Sequence, residues 1–368
     1  MPRTSTTRTR SRRWSTCCGG LTSPSAATAC RWSRCRPGDT CRAVDDLEGE
    51  HPMKAWQFTG TREPLVLTEV DEPVASAAEV LVEIRAAGLC HSDVGLLHED
   101  GFPLPSGARL PLTLGHEVAG VVRQVGAGVT GHRVGDRVAL AVVGERVAGI
   151  HRDGGYTFAL TADPDVLVPI PAGVSFEQAA AGTDAGATAH HAVVVAGQIT
   201  QGDRVGIIGL GGLGQIGARV ATLAGCEVHV AEVKQDIWPL ARELGATSVV
   251  TDITELADRQ LDVIVDFAGF GTTTAAAVET VRPGGRVVQV GMGRLTATIS
   301  TRALILNQVT LVGCLGGDKG DIAGIYHLID TGELDPALSV IGFEEIPEGL
   351  DRLARGEVVG RLVARIAD

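Results

Sequence analysis

The pattern of apolar and polar positions changes about halfway along the chain. Between Pro64 and Pro171 the apolar runs are short, as in Glu79–Ile84 and Gly120–Val125, and tight glycine-containing turns separate them. Short strands divided by such turns predict a β-rich, barrel-like domain. We expect Met53–Phe58 to form its first strand.

From about Ser175 the pattern becomes an alternation of strands and helices. Apolar runs typical of buried strands are separated by helical segments, such as Gln215–Ala224 and Ile237–Leu244. This alternation predicts a parallel, doubly wound sheet with helices on both faces. The expected strands are Arg204–Ile208, Glu227–Glu232, Asp262–Phe267 and Arg286–Val290.

The end of the chain returns to strands. A strand is expected from Ile341, a helix over Ile346–Leu353 and a strand over Gly360–Ile366. We expect this tail to complete the first domain and to leave the active site in the cleft between the two domains. The predicted boundaries are 53–176 for the β-rich domain, 177–318 for the doubly wound domain and 319–368 for the returning segment.

Residues 1–52 differ in composition, with 9 Arg, no Lys, 5 acidic residues and five of the eight Cys. Three interpretations stay open for this segment. They are a start codon assigned too far upstream, an organelle transit peptide, and a small metal-binding or interaction tail, although a repeated Cys-x-x-Cys spacing is absent. We expect the segment to be disordered.

The rest of the chain is acidic. The net charge is −12, and residues 53–368 carry 23 basic against 39 acidic residues. Such a surface is unsuited to nucleic acid or anionic lipid, and no run of 18 apolar residues occurs, so we expect neither a nucleic-acid nor a membrane partner. Only three Cys follow residue 52. That is too few for a disulfide framework and favours a reducing cytoplasm.

A glycine-rich turn follows the first strand of the doubly wound domain. Gly209, Gly211 and Gly214 form a G-x-G-x-x-G string between a strand and a helix, the context that marks a dinucleotide site. The glycines permit a tight turn, approach of the backbone to the pyrophosphate, and close helix packing, respectively. Glu232 ends the next strand, where an acid binds the ribose hydroxyls and favours NAD over NADP. Lys234 lies nearby in the chain.

Two more motifs and this turn together resemble the zinc-dependent medium-chain alcohol dehydrogenases. Gly115–Gly120, followed by Gly126 and Val129, resembles the zinc signature of that family, and Gly88–Asp93 resembles its first-ligand motif. The resemblance covers Met53–Asp368. It implies an α/β protein with a β-rich GroES-like catalytic domain and a doubly wound Rossmann domain that binds NAD.

The resemblance implies that Cys90, His116 and Asp184 hold a catalytic zinc ion. The third ligand of the family is usually a Cys in a Cys-Ala-Gly-x-Thr segment, which here reads Asp184–Thr188. The stretch Thr183–Gly186 resembles bacterial secondary-alcohol dehydrogenases, in which Asp ligates the zinc. A thiolate, an imidazole and a carboxylate suit a zinc ion with an open fourth position.

The chemistry of such a site is hydride exchange between an alcohol and NAD. One thiolate and one carboxylate cancel the charge of Zn²⁺, as two thiolates would. Zinc lowers the pKa of bound water from ~15.7 to ~7. A comparable shift for an alcohol is roughly 9 pKa units, or ~12 kcal/mol, more than a positioned side-chain base supplies.

The resemblance also implies roles for residues around the ligands. These are Ser92 as acceptor of the alcohol proton, Asp93 as the residue that orients His116, Glu117 as a neighbour that approaches the metal, Thr188 as a contact of the nicotinamide, and His91 and Arg361 as contacts of the pyrophosphate.

The chain departs from the family pattern in two places. Some relatives end their proton relay with a His three residues after the Ser, and here that position is Gly95. The proton must therefore leave by another route, through the ribose, water or His91. Many relatives also hold a structural zinc with four Cys, but no Cys lies between Asp136 and Gly155. We expect one zinc ion per subunit and no structural zinc.

Three functions remain to be separated. We expect an NAD-dependent alcohol dehydrogenase acting on a small secondary alcohol or ketone, with primary alcohols, aldehydes and polyols left open. The alternatives are a zinc-free NADPH-dependent quinone or enone reductase of the same superfamily and a catalytically inactive nucleotide-binding protein. By analogy with the family, strand Val309–Gly313 lies at the sheet edge that joins subunits, so we expect a homodimer or homotetramer.

Overall fold

The computed structural model describes residues 52–99 and 109–367. All but the last residue of the extension predicted at residues 1–52 lies outside the described residues. The described residues belong to one compact unit. In the described ranges, no helix is both long and apolar enough to cross a membrane.

The described residues form sixteen strands, and the strands expected from the apolar runs are found with ends that differ by a few residues. The strands are β1 (Met53–Phe58), β2 (Val66–Val70), β3 (Val80–Leu89), β4 (Leu112–Thr113), β5 (Glu117–Val125), β6 (Arg137–Leu140), β7 (Ala159–Ala162), β8 (Leu167–Pro169), β9 (Arg204–Ile208), β10 (Glu227–Ala231), β11 (Ser248–Val250), β12 (Val263–Asp266), β13 (Arg286–Gln289), β14 (Thr310–Gly313), β15 (Leu338–Gly342) and β16 (Arg361–Arg365).

Nine α-helices connect these strands in the described ranges. They are α1 (His91–His98), α2 (Phe176–Ala181), α3 (Ala187–His190), α4 (Gly212–Leu223), α5 (Trp238–Glu243), α6 (Thr272–Thr280), α7 (Thr301–Leu306), α8 (Lys319–Asp330) and α9 (Ile346–Ala354). Two π turns, Gly182–Gly186 and His191–Ala196, follow α2 and α3.

The β-rich domain is confirmed by a seven-stranded sheet with β15, β16, β3, β5, β6 and β8 in this order, to which β7 adds by pairing with β3. A separate three-stranded sheet orders its strands as β2, β1 and β4. Except for β15 and β16, neighbouring strands in these sheets are antiparallel. The last strand of the chain, β16, therefore lies next to β3, which leads into α1.

The doubly wound domain is confirmed by a six-stranded sheet of parallel strands in the order β11, β10, β9, β12, β13, β14. Its strands are apolar because helices cover both faces; all four residues of β12, for example, are buried. After β9 the chain forms β10 and β11 on one side of that strand, and later forms β12, β13 and β14 on the other side. The crevice beyond the carboxyl ends of β9 and β12 is thus the switch point at which such sheets bind ligands.

The segment 319–368 divides between the two sheets. Helix α8 packs on α3, and its buried residues Ile322 and Tyr326 belong to the core that also contains the doubly wound sheet. Strands β15 and β16 and helix α9 join the β-rich side. The buried residues of α9, Ile346, Leu350 and Leu353, follow the helical spacing that one covered face requires.

Candidate active site and metal centre

Three neighbouring strands bring charged or metal-binding side chains to one edge of the seven-stranded sheet. Cys90 directly follows β3, and His116 directly precedes β5. Because Gly88 pairs with Glu117 in the antiparallel ladder of β3 and β5, Cys90 and His116 leave the sheet at the same end. Arg361 begins β16, on the other side of β3, and lies at this end as well.

Asp184 reaches the same place from the helical segment between the two sheets. It lies in the π turn Gly182–Gly186, a conformation that recurs at functional sites. Its Oδ2 atom is 3.4 Å from Sγ of Cys90 and 3.6 Å from Nε2 of His116. One donor atom from each of these three residues and from Glu117 lies within 4.8 Å of the others. We call these four residues the donor cluster.

The spacing within the donor cluster fits a tetrahedral zinc ion. Bonds of about 2.3 Å to sulfur and 2.0–2.1 Å to nitrogen or oxygen place neighbouring ligand atoms about 3.3–3.6 Å apart. The two separations measured from Asp184 are of this size. In the described ranges, no other group of three or more His, Cys, Asp or Glu side chains could hold a metal ion.

The turn after β9 has the geometry for which its glycines are suited. Gly209 has a φ of +83°. A Cβ atom on Gly214 would lie less than 3.0 Å from the carbonyl oxygen of Gly209, so only glycine lets α4 begin this close to β9. A Cβ atom on Gly211 would meet no heavy atom within 4 Å. The backbone at the start of α4 is therefore open to a phosphate group.

Glu232 is buried beside this glycine turn, directly after β10. Its two carboxylate oxygens accept hydrogen bonds from the backbone N–H groups of Leu210, at 2.7 Å, and Lys234, at 2.8 Å. The Nζ atom of Lys234 donates to the carbonyl oxygen of Gly356, at the end of α9. The acid is thus held at the strand end where a ribose lies in sheets of this kind.

Arg361 connects the donor cluster with the glycine turn. Its Nη2 atom is 3.4 Å from Oδ2 of Asp184. A Cβ atom on Gly212, the first residue of α4, would lie 3.1 Å from Cδ of Arg361. Thr188, one turn after Asp184, donates a hydrogen bond of 3.2 Å to Oδ1 of that residue. The donor cluster and the glycine turn therefore lie next to each other, with Arg361 in contact with both.

Two family models match successive parts of the chain. Residues 76–202 match the alcohol dehydrogenase GroES-like domain, and residues 212–331 match the zinc-binding dehydrogenases. An alcohol dehydrogenase of Geobacillus stearothermophilus is 32% identical over 340 residues, which cover 85% of this chain and all of the relative. The chain belongs to the zinc-dependent medium-chain alcohol dehydrogenases.

Two further relatives agree with this assignment. An NAD-dependent alcohol dehydrogenase of Sulfolobus acidocaldarius is 30% identical over 346 residues, covering 85% of this dehydrogenase and all of the relative. The structure of acetophenone reductase from Geotrichum candidum in complex with NAD has a TM-score of 0.79 at 28% identity, covering 87% of this chain and 98% of the other. The dehydrogenase therefore interconverts alcohols and ketones with NAD, and the zinc-free reductase is not favoured.

Glu117 is engaged with Arg361 in the dehydrogenase. The Nε atom of Arg361 donates to Oε2 of Glu117 at 3.2 Å, and Nη2 contacts Oε1. Both side chains are almost completely buried, so each charge needs the other. A Cβ atom on Gly88 would clash with the Glu117 carboxylate, which explains a glycine at this position of β3.

Tyr156 is a part of the site that the sequence patterns do not identify. Its hydroxyl donates a hydrogen bond of 2.9 Å to Oδ2 of Asp93, which also accepts from the backbone N–H of Cys90 at 3.1 Å. The other oxygen of Asp93 lies 3.5 Å from Nδ1 of His116. A Cβ atom on Gly115 would clash with the Tyr156 ring. The Tyr156 hydroxyl and the Cys90 backbone thus hold Asp93 in place beside His116.

The donors shift one another's pKa values. Burial raises the pKa of Asp184, but hydrogen bonds with His116, Cys90 and Thr188 bring it below its usual value. Burial lowers the pKa of His116, yet the Asp93 charge and the bonds with Asp184 and Cys90 raise it well above its usual value. Burial raises the pKa of Cys90, whereas Arg361 and His116 produce a net decrease. The cluster thus favours anionic donors, and a bound cation would displace the proton of His116.

The remaining predicted residues lie close by. Ser92 and His91 follow Cys90 on the first turn of α1, where Ser92 is partly buried and His91 is exposed. The structure brings seven predicted residues together around the donor cluster, namely Cys90, Asp93, His116, Glu117, Asp184, Thr188 and Arg361.

Proposed function

We propose that the dehydrogenase interconverts small secondary alcohols and the matching ketones at a single zinc ion held by Cys90, His116 and Asp184. The observation that carries this proposal is the convergence of three suitable donors within 4.8 Å, beside the glycine turn. Two features support secondary alcohols. Asp184 stands where secondary-alcohol dehydrogenases have Asp, and one relative is an acetophenone reductase, whose ketone substrate would yield a secondary alcohol.

The charges of the donors suit this reaction. The Cys90 thiolate and the Asp184 carboxylate cancel the charge of Zn²⁺, and His116 adds none when neutral. When bound, zinc supplies the Lewis acidity that lowers the pKa of an alcohol. The burial of His116 and Glu117 strengthens the electrostatic interactions of the cluster, because it lowers the local dielectric constant.

Four residues assist this centre in the proposal. Ser92 accepts the proton of the alcohol and passes it to the ribose, to water or to His91. Thr188, which donates a hydrogen bond to Asp184, contacts the nicotinamide ring. Asp93 orients His116. Glu117 neutralises Arg361 and approaches the metal when that ion pair opens.

The cofactor lies along the glycine turn in the proposal. The backbone at Gly209, Gly211 and Gly214 surrounds the pyrophosphate, which Arg361 and His91 on α1 also contact. Glu232 accepts hydrogen bonds from the ribose hydroxyls. The open space at Gly211 and the fixed position of Glu232 support this arrangement.

The proposal is tested by NADH formation from NAD with matched secondary and primary alcohols, before and after zinc chelation. We expect about one zinc ion per chain, turnover that favours the secondary alcohols, and loss of turnover on chelation that added zinc restores. Chelator-resistant turnover by metal-free protein would contradict the metal centre. A preference for primary alcohols would contradict only the substrate class.

Cofactor choice gives a second test. Replacing Glu232 by Gln should reduce the preference for NAD over NADP by about tenfold or more, because the charge that repels a 2′-phosphate is lost. The measurement is kcat/KM for both cofactors. Glu227→Gln, at the exposed other end of β10, is the control and should leave the ratio unchanged. An unchanged ratio in the Glu232 variant would show that this carboxylate does not face the ribose.

The absence of a structural zinc is part of the proposal. In place of a four-Cys lobe, the loop between β6 and β7 is held by ion pairs. Arg146 lies 3.0 Å from Asp163, and Arg152 lies 3.1 Å from Glu79.

The arrangement of domains and subunits is proposed as well. We place the catalytic domain at 53–176, the cofactor domain at 177–318 and the returning segment at 319–368. The pairing of β16 with β3 supports the return of the last strands, whereas α8 packs on α3. A homodimer or homotetramer joined at the edge strand β14 is supported by exposed apolar side chains such as Leu311. The few cysteines support a cytoplasmic location.

A further inference from the structure

A fully buried carboxylate ends β12, outside the donor cluster and the glycine turn. Asp266 is 0% exposed. Its Oδ1 atom accepts hydrogen bonds from the backbone N–H groups of Ala268, at 3.1 Å, and Gly269, at 2.8 Å. A buried carboxylate requires such donors, and backbone donors can reach it only if the chain bends around it. Asp266 therefore determines the path of the loop 267–271.

The same carboxylate is connected to the next strand. Its Oδ2 atom accepts from the hydroxyl of Thr273 at 2.8 Å and lies 3.1 Å from the hydroxyl of Thr274. The Thr274 hydroxyl also lies 2.8 Å from Oε1 of Gln289, whose Nε2 atom donates to the carbonyl oxygen of Gly291 at 2.7 Å. This network, which we call the Asp266 network and in which Asp266 and Thr274 are buried, joins the loop after β12 to the loop after β13.

The two loops are also joined directly. The backbone N–H of Arg294 donates to the carbonyl oxygen of Gly269 at 2.8 Å, and that of Gly293 donates to Ala268 at 3.3 Å. A Cβ atom on Gly269 would lie less than 3.0 Å from the carbonyl oxygen of Gly291. Residues 267–271 and 290–294 thus form one continuous wall, which we call the loop pair.

The loop pair borders the glycine turn across the switch point of the sheet. A Cβ atom on Gly209 would lie 3.2 Å from Cβ of Ala268, and the backbone N–H of Phe267 donates to Ile208 at 3.0 Å. Two large apolar side chains on the loop pair, Phe270 and Met292, are 54% and 52% exposed. These exposed apolar side chains lie at the sheet edge where the cofactor is proposed to bind, and the aromatic rings of the cofactor would cover them.

We propose that Asp266, Thr274 and Gln289 are positioning residues for NAD. They hold the loop pair in the conformation that receives the cofactor. The affinity for NAD is therefore not reduced by the entropy cost of ordering the two loops on binding. None of the three touches the reacting atoms. The proposal rests on the cofactor site proposed above, because it assumes that NAD lies along the glycine turn.

The test uses Thr274→Val in the zinc-loaded, full-length protein, since valine keeps the shape of threonine and removes only the hydroxyl. We expect the Kd for NADH, measured by fluorescence titration, to rise about fivefold or more. The KM for NAD should rise in parallel, whereas kcat at saturating NAD and the zinc content should stay near the values of the unsubstituted protein. Thr274→Ser, which restores the hydroxyl, should recover the affinity.

Thr280→Val is the matched control, because Thr280 is a buried threonine of the same helix that lies outside the Asp266 network. It should leave the Kd for NADH unchanged, whatever its effect on Tm. Normal NADH affinity in Thr274→Val, or an equal loss in both valine variants, would overturn the proposal while leaving the cofactor site intact. Failure of the unsubstituted protein to bind NADH would overturn the cofactor site and this proposal together.

Discussion

Replacing Asp184 by alanine is expected to empty the metal site and to lower kcat/KM by at least about 10³-fold. Asp184 approaches both Cys90 and His116, at 3.4 Å and 3.6 Å. Without it, a thiolate and an imidazole alone leave the charge of Zn²⁺ partly uncompensated and two coordination positions open. The measurement is zinc per chain by elemental analysis, together with turnover on a secondary alcohol.

Two variants separate charge from geometry at this position. Asp184→Cys supplies the thiolate usual in the family and is expected to keep the zinc. Asp184→Asn keeps the shape and removes the charge, and should bind zinc more weakly. Far-ultraviolet circular dichroism and Tm provide the control for folding. Full zinc occupancy in Asp184→Ala would show that Asp184 is not a ligand.

Replacing either of two glycines in the turn after β9 by alanine is expected to impair a different property of the protein, NADH binding in one variant and stability in the other. Gly211→Ala should fold normally, because a Cβ atom there meets no heavy atom within 4 Å, yet it should weaken NADH binding by about tenfold or more, because the methyl group occupies the approach of the pyrophosphate. Gly214→Ala should lower the free energy of unfolding by roughly 2–3 kcal/mol, because its Cβ atom would clash with the carbonyl oxygen of Gly209.

The pair is measured by thermal unfolding without cofactor and by NADH titration. A stable Gly211 variant with weakened NADH binding would locate the pyrophosphate at this backbone position. Unchanged affinity in that variant would refute the position, and unchanged stability in the Gly214 variant would refute the close packing of α4 on β9.

Much of the fold follows from local sequence. The strands of the parallel sheet are continuous apolar runs because helices cover both faces, and β9 was therefore recognisable with the same ends as in the structure. The glycine turn was recognisable because its spacing reflects steric demands that only glycine meets. The motifs around Cys90 and His116 indicated ligands only through their resemblance to the family, and the structure places each residue directly at a strand end.

Contacts between residues far apart in the chain could not be predicted from local sequence. That Arg361 forms an ion pair with Glu117 depends on the register of β16 against β3, and nothing near either residue in the chain encodes it. The hydrogen bond from the Tyr156 hydroxyl to Asp93 forms only in the folded chain. In the sequence, a single tyrosine in a β-rich segment predicts core packing and nothing more specific. The π turn that carries Asp184 also has no local signal that separates it from a continuous α-helix.

The pairing of β16 with β3 makes the active site a late product of protein synthesis. Cys90 and Asp184 are 94 residues apart in the chain, but Arg361 follows Asp184 by another 177 residues. At about 5–20 residues per second, the ribosome needs roughly 10–35 s to add that stretch. During this interval Glu117 has no counter-ion and β3 lacks one of its neighbours. The nascent chain therefore acquires the buried Glu117–Arg361 pair only when its final strand emerges and docks.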